Sequence, residues 1–64
     1  MGTKVVFKLD GYAFPIKVLQ NSRRKFTVMY GKQVREGLSL GDAADELGSS
    51  IMHLMSCEGK IDNG

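Results

Sequence analysis

His53 and Cys57 are the two residues of this chain best suited to chemistry, and they stand four positions apart. On a helix that spacing puts both on one face, where an imidazole and a thiolate could hold a metal or form a base and nucleophile. Neither arrangement is complete. A zinc site takes three or four ligands, so Glu46 or Glu58 would have to join a chain with one cysteine and one histidine. A nucleophilic pair needs an aligned base and an oxyanion hole, which helix neighbours rarely supply. Packing at the boundary of a small core accounts for both residues. No paired general acid and base, phosphate loop or activated nucleophile occurs elsewhere. The sequence therefore predicts a protein that is not an enzyme, with no catalytic residue, metal site, cofactor or small-molecule substrate.

The elements that would position these residues follow from a change of hydrophobic period at Ser39. Before it, Val5, Phe7, Leu9 and then Tyr12, Phe14, Ile16, Val18 alternate, as side chains do on one face of a strand. After it, Leu40, Ala43, Ala44, Leu47, Ile51, Leu54 and Met55 recur at helical spacing. Asp10-Gly11 between the two runs predicts a two-residue hairpin turn with positive φ at both positions. That register sets Leu9 opposite Tyr12, Phe7 opposite Phe14, Val5 opposite Ile16 and Lys4 opposite Lys17. Pro15 lacks a donor for its far side, so a third strand, Lys25 to Tyr30, is expected to pair with Ile16 to Gln20 and break near Pro15. Phe26, Val28 and Tyr30 would face inward. Residues 31–37 allow a turn and a short fourth strand. Ser39 reads as the N-cap of a helix from Leu40 to about Glu58, with Asp42 in a capping-box position and Gly59 at C′. Gly48 within it suggests a close approach of helix to sheet. The fold class is α+β: a small antiparallel sheet of three or four strands, one C-terminal amphipathic helix on one face, and a single domain over residues 1–64.

A chain of 64 residues hides only about 60% of its unfolded surface on folding. Disulfide, metal or a second subunit commonly widens the stability margin of such small domains. One cysteine excludes an internal disulfide, which leaves oligomerisation and suits a reducing, cytoplasmic compartment. No leader is evident, and no apolar run approaches the roughly 20 residues of a membrane span. The formal charge of +2 is too small by itself to announce a nucleic-acid binder.

Charge and apolar surface are more telling in their distribution. With one helix on one sheet face, the other face is open to solvent or a partner. The expected outer positions include Lys4, Val6, Lys8, Lys17, Leu19, Lys25 and Met29. Val6, Leu19 and Met29 would form an apolar patch of the kind that marks interfaces. On the helix, Met52 and Met55 beside His53 widen the apolar stripe beyond what one small sheet needs, which suits a subunit interface as well as core filling. These six residues are the candidate interaction surface. Lys4, Lys8, Lys17, Arg23, Arg24 and Lys25 form a candidate basic patch, equally readable as a solvated face that blunts strand edges. Asp42, Asp45 and Glu46 need no role beyond complementing the helix dipole.

The order of strands followed by a helix opening with Ser39, Asp42, Ala43 and Ala44 resembles two small modules. One is the partial RNase-H-like domain of HicB-type antitoxins, whose proline-containing strands are loosely mirrored by Phe14-Pro15. The other is the C-terminal part of double-stranded-RNA-binding domains, which carry lysines where this chain has Asp42, Asp45 and Glu46. The likeness is one of topology and assigns no functional residue. Taken together, the sequence predicts a small interaction or regulatory module, such as a bacterial or phage accessory protein. It would act as a homodimer or on a protein partner, with weak nucleic-acid binding through the basic patch as the alternative.

Overall fold

The computed structural model describes residues 2–61. Its elements run β1 (Lys4–Leu9), β2 (Ile16–Ser22), β3 (Lys25–Tyr30), β4 (Gln33–Leu38) and α1 (Leu40–Cys57). The strands form one antiparallel sheet in the order β1-β2-β3-β4, so residues 31–38 do supply the fourth strand. β2 pairs with β3 from Ile16 onward, Ile16 facing Tyr30 and Val18 facing Val28, and Pro15 stands just before the ladder. Its carbonyl instead accepts the Gly31 N–H at 2.9 Å.

The first hairpin departs from the expected register. Leu9 faces Ile16, Phe7 faces Val18 and Lys8 faces Lys17, so residues 10–15 form a loop rather than a two-residue turn. Only Gly11 has positive φ, at 86°, while Asp10 does not. The long-range contacts of the loop explain why it won over the tight turn. The Ala13 N–H donates to the Glu58 carboxylate at 2.6 Å, Phe14 stands edge-on to Tyr30 with centroids 5.5 Å apart, and Lys60 lies over the Tyr12 ring.

A β-bulge between Val5 and Phe7 makes the second correction. An extra residue in one strand puts two consecutive side chains on one side. Val6 and Phe7 therefore both turn toward α1, where they line one groove, and Val5 pairs with Leu19 on the far face. Lys4, opposite Gln20, falls in the helix-side row, so Lys4 and Val6 are not outer-face residues and Lys4 does not oppose Lys17.

The core lies between β2, β3 and α1: Ile16, Val18, Phe26, Val28, Ala43 and Leu54 are buried. Ile16 and Leu54 are fully enclosed. Ser39 caps α1, its hydroxyl accepting the Asp42 N–H at 3.2 Å, and Gly59 follows the helix with φ 74°. Gly48 does not mark a close approach, since a Cβ there would meet nothing within 4 Å. Leu40, read as part of the buried stripe, is 69% exposed.

Candidate interaction surface

The helix crosses β3, touches β2 and β4, and leaves β1 uncovered. Strands spaced about 4.8 Å make a four-stranded sheet roughly 19 Å wide, and a helix with its side chains is about 10 Å across. One helix therefore cannot cover this face. The uncovered strip is a groove of about 190 Å³ between β1 and α1, with Val6 and Phe7 on one wall and Leu40, Ala43, Ala44 and Leu47 on the other. Every lining side chain is apolar. Phe7 is 36% exposed and Val6 45%, although both face the helix side. A groove of this kind presents apolar area and no polar side chain.

Basic residues lie near one end of the groove. Lys4 pairs with Gln20, whose other neighbour Phe26 lines the groove, and with Arg23 it lines a separate depression, together with Gln20, Asn21 and Ser22, that contains no acidic side chain. Arg23 and Arg24 make the turn between β2 and β3, and Lys25 opens β3. On the outer face Lys8 opposes Lys17, and Lys8 reaches Asp10 at 3.4 Å. The six basic residues are thus divided between the hairpin end (Lys4, Arg23, Arg24, Lys25) and the outer face (Lys8, Lys17).

The apolar candidates are divided as well. Val6 belongs to the groove. Leu19 and Met29 are half-buried on the outer face, in rows with Val5 and Val34. Thr27, opposite Leu19 in the row of Val5, is buried and donates to the Asn21 side chain at 2.5 Å, and Asn21 in turn donates to Thr3. Met52 is 59% exposed and Met55 half-buried.

His53 turns to the β4 side of the helix. The Tyr30 hydroxyl lies 2.6 Å from its Nδ1, and the two rings meet edge to face at 5.7 Å. Partial burial raises the Tyr30 pKa above its ordinary value, and the nearby Cys57 charge adds to the rise. Tyr30 therefore keeps its proton at neutral pH, and its hydroxyl can donate to or accept from His53 Nδ1 according to the ring tautomer. Cys57 Sγ is 4.0 Å from Nδ1 and 3.9 Å from Nε2. A sulfur equidistant from both nitrogens is aligned with neither lone pair, and a working base and nucleophile sit about 3 Å apart. Among the described residues no three His, Cys, Asp or Glu side chains come together to hold a metal.

Sequence reasoning missed Phe7, Leu40, Ala44 and Leu47 as a shared surface. The signal was the unbroken apolar run Val5-Val6-Phe7, which a strictly alternating strand does not explain and a bulge does. No family model, curated protein or solved structure matches the chain. No described helix is long and apolar enough to cross a membrane.

Proposed function

We propose that this chain is a small non-enzymatic interaction module, of regulatory or accessory type, that acts by binding another polypeptide. The observation that carries this reading is the wholly apolar groove between β1 and α1. Exposure of large apolar side chains along it supports the reading: Val6 is 45% exposed, Phe7 36% and Leu40 69%, and exposed apolar patches tend to mark interfaces. A second copy and a different protein both fit the reading at this level, and either would act in the cytoplasm.

An apolar fluorescent dye tests it. The native chain is expected to bind the dye, and Phe7→Asp to abolish binding with the far-ultraviolet circular dichroism unchanged. Absence of dye binding to the native chain would remove the groove as the interface. Sedimentation over a concentration series then separates homodimer from monomer awaiting a partner.

A second reading rests on Lys4 and Arg23 around one depression, beside Arg24 and Lys25: weak binding to a nucleic-acid backbone. Retention on a nucleic-acid column at low salt, lost steeply as salt rises through counterion release, is the expected sign. No retention at low salt ends that reading.

A further inference from the structure

We infer that the occupant of the groove is an amphipathic helix from another protein, carrying acidic residues at the end that lies beside Lys4 and Arg23. The inference rests on the reading above, that the groove is a polypeptide-binding surface. The space over β1 is what remains of a sheet face wide enough for two helices after α1 takes its place on β2–β4. A second helix laid there would put leucine-sized side chains at helical spacing against Val6, Phe7, Ala44 and Leu47, in the way grooves receive amphipathic helices.

Charge selects the sign of the partner. Lys4 pairs with Gln20, whose other neighbour Phe26 lines the groove; Lys4 and Arg23 share a neighbouring depression, and no acidic side chain lines either cavity. Glu46 faces the other flank of α1, toward Arg35 at 4.0 Å. An acidic end is therefore attracted, and a basic end is repelled.

A second copy fits the groove poorly. Joining two copies through their β1 edges would gather the lysines of both edges along one seam, Lys4 on the helix side and Lys8 on the outer face. The bulge at Val6 and the lysines are also devices that discourage edge-to-edge pairing. Such a dimer would extend the sheet sideways and leave the strip above β1 open, because each α1 stays on its own β2–β4.

The test uses the full chain, isotope-labelled, titrated with a synthetic helical peptide of about four turns that carries leucines along one face and glutamates in its first turn. Saturable amide shifts at Val6, Phe7, Ala44 and Leu47, an affinity about tenfold weaker for Lys4→Glu, and a similar loss when the peptide glutamates become lysines support the inference. Equal binding of the two peptides, or shifts centred on Leu19 and Met29, overturns it. If the chain alone shows concentration-dependent shifts in the groove, the occupant is a second copy. The interaction reading then stands and the helix inference fails. If neither peptide nor concentration moves the groove residues, and Phe7→Asp leaves dye binding unchanged, both fail.

Discussion

Glu58, just beyond the last turn of α1, accepts the backbone N–H of Ala13 at 2.6 Å, which ties the end of the helix to the loop between β1 and β2. The two residues are 45 positions apart, and this bond fixes the loop across the end of the sheet. Both partners are solvent-exposed, so its effect is local. Glu58→Ala is expected to speed amide exchange at Ala13 and its neighbours while costing the whole fold no more than about 1 kcal/mol. A loss of global stability as large as that of a core truncation would contradict this.

The core is small enough for a single side chain to decide folding. Leu54→Ala removes one of the two fully enclosed large side chains among the described residues and is expected to cost about 2–5 kcal/mol, a large part of the total stability of a small domain. Phe14→Ala should cost less, because Phe14 is 41% exposed and packs edge-on to Tyr30 rather than across from Phe7. Urea midpoints of the two variants check the order.

Two glycines are expected to respond in opposite directions to alanine. Gly31 has φ 59°, and a Cβ there would sit 3.4 Å from the Phe14 ring, so Gly31→Ala should destabilise. Gly48 lies inside α1 with open space around it, and Gly48→Ala should raise stability by about 0.5–1 kcal/mol. Thermal melts of both variants decide the matter.

Lys8 and Lys17 face each other on the outer sheet surface. Lys17→Glu turns a like-charge cross-strand pair into an attractive one, and a gain of about 0.2–1 kcal/mol is expected. The gain should shrink at high salt. An unchanged urea midpoint at low salt would contradict this pairing.

Tyr30 carries a pH dependence. Its partial burial first, and the Cys57 charge second, raise its pKa in the folded state, so the folded chain holds the proton more tightly than the unfolded one. The stabilising contribution is fully present below the ordinary tyrosine pKa of about 10 and is lost as pH rises through the folded value. In a Tyr12→Phe background, ultraviolet titration should show a midpoint above that of free tyrosine. Cys57→Ser should bring it down, and an unmoved midpoint would remove the thiolate as a cause.

Much of the sheet and nearly all of the helix were legible in the sequence because their signals are local. Ser39, Asp42 and Gly59 bracket α1, and Phe26, Val28 and Tyr30 keep a clean alternation in β3. What was not legible depended on distant contacts. Asp10-Gly11 is a strong turn signal, yet Glu58, Tyr30 and Gly31 together hold residues 10–15 as a loop, and that shifts the whole pairing of β1. The bulge at Val6 then exchanges the faces of Val5 and Val6. The candidate surface inherited both errors: Val6 was assigned to the wrong face, and Leu40 passed for core because spacing alone does not reveal that α1 stops short of β1.

The strand order β1-β2-β3-β4 has a consequence during synthesis. Each strand pairs with the one made just before it, so the hairpins can close within microseconds of leaving the ribosome. The 18 residues of α1 follow the sheet in sequence and cover it only by a separate packing step. Whenever the helix is detached from the sheet, Val18, Phe26 and Val28 have nothing laid over them. Lys4 and Lys8, on the edge strand β1, are the kind of residues that discourage pairing of that edge with another chain in this state.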